Sequence, residues 1–223
     1  MSHPFLCIAI PHVERPQNYL LQTLRSLVSD LSLGKIVIAI GDFGLEPSRN
    51  LDIVTEEFSQ HIVAGHLVLQ RFGAGPAPLE GLARNFGDDE TRVKWRSKQV
   101  LDAAAMMSAN ADRAPYYLHL EDDVLAPTDY LARAAWHIAA APPNWFSIKL
   151  SPLGACAILF RSTSLARLSA YLRTVYDEMP LDWLIDEFIA FKRKVGQPSY
   201  VEDILFQHIG MYSTLPGQIR EPL

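Results

Sequence analysis

Residues 115–123 read PYYLHLEDD, and this stretch decides the fold of the chain more than any other. Residues 116–120 are aromatic or apolar apart from one histidine, which predicts a buried β-strand. Three consecutive acids, Glu121, Asp122 and Asp123, follow without an intervening turn residue. Their carboxylates repel one another, and a hard divalent cation such as Mn²⁺ or Mg²⁺ relieves that repulsion because it prefers oxygen ligands. A solvated acidic loop is the alternative, and this short motif alone leaves both interpretations open.

The segments on either side of this strand alternate between apolar runs and helical patterns. The apolar runs predict further strands at 5–10, 35–40, 66–72 and 145–150. Apolar side chains at helical spacing predict helices at 17–31, 51–62, 90–110, 131–141, 162–178 and 181–194. The Gly- and Pro-rich segment 73–88 is a loop long enough to be functional. Together these patterns predict an α/β fold, with a mostly parallel sheet and helices on both faces.

The predicted fold bears on the acidic triplet, because ligands bind such sheets outside the carboxyl ends of the strands. The triplet lies at such an end, and residues 11–15 (PHVER) lie at the end of the first strand. This agreement favours the metal site over the solvated loop.

Composition and charge exclude several classes of protein. The chain has 223 residues and a net charge of −5 with no basic stripe, which argues against a nucleic-acid partner. No apolar run is long enough to span a membrane. The first run, Phe5–Ile10, lacks a preceding basic region and ends at Pro11, so a strand explains it better than a signal peptide. The two cysteines, Cys7 and Cys156, are expected to be buried thiols. We expect a cytoplasmic protein, although a fragment of a longer chain would have the same features.

Two acids in the segment 180–187 are candidates for a general base. Asp182 and Asp186 stand at i and i+4, which places them on one face of the predicted helix. The spacing alone favours structural roles: Asp182 follows Pro180 at the helix start and suits an N-cap, and Asp186 suits a salt bridge or a solvated position. The functional alternative is that one of them accepts a proton from a substrate.

Cationic and imidazole side chains supply further candidates. Residues 91–99 (TRVKWRSKQ) open the helix before the acidic strand, and Arg96 and Lys98 within them can neutralise phosphate charge if that helix begins beside a metal–diphosphate site. His208 follows an apolar stretch near the end of the chain and is either a structural histidine or a ligand. The tail from residue 207 to 217, with glycines at 210 and 217, is a candidate lid.

Several longer segments resemble the N-acetylglucosaminyltransferase IV family, whose members add β-1,4-linked N-acetylglucosamine to the mannose of N-glycans. The resemblance runs in one order from about residue 6 to 217 and is weak in 42–84 and 150–178. The segments that carry it are 8–15 (IAIPHVER), 19–27 (YLLQTLRSL), 85–102 (NFGDDETRVKWRSKQVLD), 116–123 (YYLHLEDD), 180–186 (PLDWLID) and 205–215 (LFQHIGMYSTL).

The resemblance implies a GT-A fold, a UDP-sugar donor, Mn²⁺ or Mg²⁺, and inversion at the anomeric carbon. Residues 121–123 then take the DxD position, with Asp123 as the direct metal ligand and the two preceding acids as contacts to ribose and sugar. Asp182 matches the position of the base in related inverting transferases, and His208 becomes a metal or diphosphate contact. We expect the remaining donor contacts to come from Pro11, His12, Arg15, Arg96 and Lys98.

The chain departs from the family near the predicted acceptor site. The family pattern has an acid where Lys149 stands and an amide where Pro152 stands, so the acceptor need not be an N-glycan. We interpret residues 1–223 as a single catalytic domain. Its first part, to about 125, binds the nucleotide sugar; the rest, 126–223, forms the acceptor site and lid.

The expected activity is a metal-dependent inverting transfer, most simply of N-acetylglucosamine, from a UDP-sugar to a glycan or other hydroxyl acceptor. A nucleotide-sugar hydrolase and a non-catalytic UDP-sugar-binding domain are the alternatives. The presence of Asp182 speaks against the binding domain, because such a domain has no need of a base.

Overall fold

The structure is a computed structural model that describes residues 4–28, 35–46, 48–73, 79–201 and 204–212. The described strands, in chain order, are β1 (Leu6–His12), β2 (Ile36–Asp42), β3 (Leu67–Arg71), β4 (Tyr116–Leu120), β5 (Val124–Leu125), β6 (Ser147–Lys149), β7 (Ala157–Arg161), β8 (Ser199–Val201) and β9 (Gln207–His208). The described α-helices are α1 (Tyr19–Val28), α2 (Arg49–Glu57), α3 (Ser59–Val63), α4 (Glu90–Asn110), α5 (Tyr130–Ala140), α6 (Leu165–Thr174) and α7 (Leu181–Lys194).

Strand β4, which carries the acidic triplet at its end, lies in the middle of the main sheet. The strand order is β3-β2-β1-β4-β7-β6-β8. β1 pairs in parallel with β2 and β4, β2 with β3, and β6 with β8. Among the described strands of this sheet, only β7 is antiparallel to its neighbours, β4 and β6. The predicted mostly parallel sheet is therefore confirmed.

Alternating side chains of β1 reach two separate hydrophobic cores. Leu6, Ile8 and Ile10 pack into a core with the apolar faces of α1, α2 and α5. Cys7 and Ala9 point the other way, into a core with α4, α6 and α7. The predicted helices on both faces are thus confirmed, and both cysteines are buried free thiols as expected.

Several element boundaries differ from the prediction. The predicted helix 51–62 is two helices, α2 and α3, that meet at Phe58, whose backbone leaves the helical conformation. The predicted helix 162–178 is shorter and begins only at Leu165, after a 3₁₀ turn. Strand β7 was not predicted. Residues 29–31 of the first predicted helix and residues 74–78 of the predicted loop lie outside the described residues.

Helix α4 leads the chain into β4 and packs closely under the sheet. Its first turn is capped by Asp89, whose side chain accepts a hydrogen bond from the Arg92 amide at 2.8 Å. Further along, a Cβ added at Gly41 would lie 2.3 Å from the Met106 sulfur, so only glycine permits this approach of strand and helix. Although α4 has 21 residues, no helix in the described ranges is both long and apolar enough to cross a membrane.

Burial of His119 on β4 should make the protein less stable in acid. Burial lowers the pKa of this imidazole from 6.5 to about 4. The unfolded chain therefore binds a proton there at a higher pH than the folded chain does, so the unfolding free energy falls as pH drops from 6.5 towards 4. In His119→Gln, the loss of unfolding free energy between pH 7 and pH 4 should be smaller than in the wild type by about 3 kcal/mol, the free energy that corresponds to this pKa difference. Urea unfolding at pH 7 and pH 4 measures it, and parallel pH profiles for the two proteins would contradict it.

Candidate active site

The carboxyl ends of β1 and β4 open into a cleft of about 500 Å³. Among its lining residues are nine of the eleven predicted site residues: Pro11, Arg15, Arg96, Lys98, Glu121, Asp122, Asp123, Asp182 and His208. The other two predicted residues, His12 and Asp186, do not line the cleft.

The middle acid of the triplet, Asp122, is turned into a buried network. Its carboxylate receives a hydrogen bond from His12 Nδ1 at 2.6 Å and an ion pair from Arg15. His12 and Arg15 are themselves almost fully buried. His12, which was predicted as a donor contact, does not line the cleft; its ring contacts Asp122 and the Ser48 hydroxyl, which is 3.2 Å from Nε2. His12 therefore acts on the cleft only through Asp122.

The flanking acids, Glu121 and Asp123, form a cluster with His208. One ligand atom from each of the three residues lies within 4.8 Å of the others. His208 Nε2 is 3.5 Å from Asp123 Oδ2 and 3.9 Å from Glu121 Oε2. Burial opposes ionisation of Asp123, but the hydrogen bond from His208 and the charge of Arg15 outweigh it and hold the pKa of Asp123 below its usual value. A negative carboxylate is thus maintained in a nearly buried position.

The C-terminal segment brings His208 to the acids. Strand β9 pairs antiparallel with β5, which places His208 opposite Val124. The Ile209 amide then donates to the Asp123 carbonyl at 2.9 Å. Gly210 follows, and a Cβ added there would lie 1.9 Å from Asp123 Oδ2, so this position requires glycine. Residues 213–217 of the predicted lid lie outside the described residues.

This donor set suits a divalent cation. Two carboxylates and one imidazole, held close together at the wall of a cleft, match the oxygen and nitrogen ligands that Mn²⁺ binds. The Asp123 carboxylate occupies the place that a Cβ of residue 210 would take, so glycine there lets this ligand sit close to the C-terminal segment that carries His208. The cluster therefore fits a divalent cation.

Helix α4 supplies the positive charge of the cleft. Arg96 is 1% exposed, and its NH1 group has no hydrogen-bond partner within the described ranges. Its Nε lies 3.1 Å from the Asp88 carboxylate. A buried guanidinium with a spare donor on a cleft wall is suited to an anionic group of a ligand.

Lys98 forms an ion pair with Asp102, an acid that was not among the predicted site residues. Its Nζ lies 2.5 Å from Asp102 Oδ2, one helical turn further along α4. Burial raises the pKa of Asp102 to about 6, although the charge of Lys98 opposes this. Asp102 also lines the cleft. The i,i+4 spacing of the two residues was the available signal for this pair.

The two candidate bases on α7 have different surroundings. Asp182 lines the cleft, and it does not cap the helix, because the N-cap position belongs to Pro180 without a side-chain hydrogen bond. The Asp182 carboxylate faces Gly154, where an added Cβ would lie 3.4 Å from Oδ2. Asp186 instead forms an ion pair with Lys149 at 2.6 Å.

Solved structures with this fold have little sequence in common with the chain. A mannosyltransferase from Pyrobaculum calidifontis, PcManGT, solved with GDP-Man and Mn²⁺, superposes with a TM-score of 0.57 at 12% identity, covering 92% of this chain and 56% of that one. A 4-diphosphocytidyl-2C-methyl-D-erythritol synthase from Anaerococcus prevotii gives a TM-score of 0.53 at 10% identity, covering 90% and 87%. These likenesses concern the fold alone, and they confirm the predicted GT-A fold.

Curated relatives are closer in sequence. An alpha-1,6-mannosyl-glycoprotein 4-beta-N-acetylglucosaminyltransferase from Gallus gallus is 35% identical over 224 residues, covering 96% of this chain and 48% of the relative. An alpha-1,3-mannosyl-glycoprotein 4-beta-N-acetylglucosaminyltransferase C from Macaca fascicularis is 35% identical over 226 residues, covering 96% and 46%. The chain thus spans about half the length of these relatives. The family description "MGAT4 conserved region" matches residues 2–222, and the chain belongs to this family.

Proposed function

We propose that this chain catalyses the inverting, metal-dependent transfer of a sugar, N-acetylglucosamine in the first instance, from a UDP-sugar to a hydroxyl of a saccharide acceptor. The observation that carries the proposal is the Glu121–Asp123–His208 cluster, which lies in the same cleft as Asp182. A cation site and a carboxylate in one cleft are the two elements that such a transfer requires.

The donor diphosphate would lie between the cluster and helix α4. Glu121, Asp123 and His208 would hold the cation, and a bound divalent cation neutralises the charge that develops on the departing diphosphate. Arg96 would add a hydrogen bond from its unpaired NH1 group. The Asp122–Arg15–His12 network fixes the backbone between the two acids and so keeps their side chains in place.

Asp182 is the better supported base. A base must contact the acceptor hydroxyl, and Asp182 lines the cleft whereas Asp186 does not. Asp186 is also held by Lys149, and removing a proton from a hydroxyl would require it to leave that ion pair. Asp182 therefore accepts the proton as the hydroxyl oxygen attacks the anomeric carbon from the face opposite to UDP. Holding both substrates in one cleft aligns them for this attack.

The names of the relatives support the choice of substrates. They are described as acting on mannosyl-glycoproteins and transferring N-acetylglucosamine, so UDP-N-acetylglucosamine and a mannose-terminated glycan are the first donor and acceptor to test. The acceptor itself is proposed only as a saccharide. Lys149, which departs from the family pattern, contacts the helix that carries Asp182 and so alters the surroundings of the acceptor.

UDP binding should depend on the cation cluster. We expect Asp123→Asn to weaken UDP–Mn²⁺ binding by at least about 10-fold, because one ligand charge is lost from a buried site. Gly210→Ala should have a similar effect, since its Cβ would displace the Asp123 carboxylate. Met211→Ala, which shortens an exposed neighbouring side chain, is the matched control. Calorimetry with UDP, Mn²⁺ and EDTA tests this, and equal affinity with and without EDTA would contradict the metal role.

Replacing the base should stop transfer but spare donor binding. Asp182→Asn is expected to keep UDP–Mn²⁺ affinity and lose about 10²-fold or more in transfer rate, the usual contribution of a positioned base. Asp186→Asn should lose much less. Release of UDP in the presence and absence of acceptor is the measurement. Near-normal transfer by Asp182→Asn would move the base elsewhere. Sugar release that no acceptor stimulates would indicate a hydrolase, and UDP binding without any turnover a binding domain.

A further inference from the structure

Two large aromatic side chains are exposed next to the proposed base. Phe86 is 60% exposed and Trp183 is 49% exposed. Their ring centroids are 5.2 Å apart, and the rings meet edge to face at 83°. Within the described ranges, this is the aromatic pair in which both rings are largely open to solvent. Exposed apolar surface of this size, beside a cleft, is a common mark of a binding site.

The backbone at Phe86 holds its ring in place at an energetic cost. Its φ is +65°, and it is the non-glycine residue with a positive φ in the part of the chain that the structure describes. A bulky side chain disfavours this left-handed conformation, which glycine or asparagine adopts more readily. Gly87, the next residue, has a φ of +72°. Phenylalanine in this strained conformation, with its ring largely in solvent, is better explained by contact with a ligand than by packing.

Hydrogen bonds tie the Phe86 turn to the segment that precedes α7. The Asn85 side chain donates to the carbonyl and to the carboxylate of Glu178, each at 2.9 Å. The Ala83 amide donates to the Asp177 carboxylate, also at 2.9 Å. Helix α7, which carries Trp183, begins three residues after Glu178. The two rings are therefore fixed relative to each other by contacts outside the ring pair itself.

We propose that Phe86 and Trp183 form a platform of two nearly perpendicular ring faces, against one of which a sugar ring of the acceptor stacks while the other ring borders it. One face of a pyranose presents C–H groups, which are attracted to the negative face of an aromatic ring. Trp183 directly follows Asp182 and lines the cleft beside it, so a sugar on the platform presents its hydroxyls to that carboxylate. The platform would select the acceptor and leave donor binding to β4 and α4. This inference rests on the proposed function, because the acceptor belongs to that reaction.

The test separates acceptor binding from donor binding. Trp183→Ala and Phe86→Asn remove one ring each, and asparagine keeps the left-handed turn, so the Phe86 variant should retain the wild-type melting temperature. Phe191→Ala removes an exposed ring further along α7 and is the matched control. We expect both platform variants to raise the acceptor KM at least 10-fold. In the platform variants, the donor KM and the UDP–Mn²⁺ affinity should stay within about twofold of wild type. In Phe191→Ala, the acceptor KM should stay within the same range as well. An unchanged acceptor KM in both platform variants would overturn the platform.

A binding measurement distinguishes failure of the platform from failure of the proposed function. Saturation-transfer NMR with an α-linked mannotriose and a panel of other oligosaccharides reports contact between protein rings and sugar without any turnover. If a saccharide binds the wild type and loses contact in the Phe86 and Trp183 variants, while no UDP-sugar is consumed, the platform stands and the proposed transfer fails. If no saccharide in the panel receives saturation from the wild-type protein, or if the variants bind equally well, the platform is wrong.

Discussion

The structure depends on accommodating three consecutive acids at the end of a buried strand. Two of them, Asp122 and Asp123, are only 6% exposed, and burying a charge without a partner costs several kcal/mol. Arg15 pairs with both carboxylates: it forms an ion pair with Asp122 and donates a hydrogen bond to Asp123 at 3.0 Å. Its other contact, with the Tyr212 carbonyl at 3.0 Å, joins the start of the chain to the C-terminal segment. Arg15 therefore links the segment after β1, the acids after β4 and the C-terminal segment after β9.

The three acids, which follow directly after β4, have different partners. Asp122 lines the cleft wall, but its carboxylate is turned towards Arg15 and His12, which satisfy it. Glu121 and Asp123 line the cleft together with His208, whose Nε2 lies 3.9 Å from Glu121 and 3.5 Å from Asp123. The contacts of Asp122 restrain the backbone that also carries Glu121 and Asp123. A rigid pair of carboxylates is preorganised for a cation. This division also explains why Gly210 must be small, since the backbone passes directly against Asp123.

The sequence predicted the parts of the site that depend on local pattern. Strand β4 and helix α7 were placed correctly, because uniform apolar residues and regular spacing define them without tertiary information. Strand β7 was missed, since its pairing with β4 is antiparallel and joins residues about forty positions apart. The inward turn of Asp122 could not be predicted either, because it depends on Arg15, more than a hundred residues away. The Phe86–Trp183 contact could not be predicted either, because it joins residues that are far apart in the sequence.

The fold does not decide the reaction, because a mannosyltransferase and a cytidyl-group synthase share it at 10–12% identity. The chemistry proposed for this chain depends instead on the surroundings of α7. Gly154, at a φ of +41°, brings the backbone of the loop between β6 and β7 against the Asp182 carboxylate, and Lys149 at the end of β6 holds Asp186. The two acids lie on one helix face but have different neighbours: Asp182 faces Gly154 in this loop, and Asp186 pairs with Lys149 of β6. In the proposed reaction, a change in that loop would move the backbone against the Asp182 carboxylate and so alter the proposed base and the neighbouring acceptor contacts together.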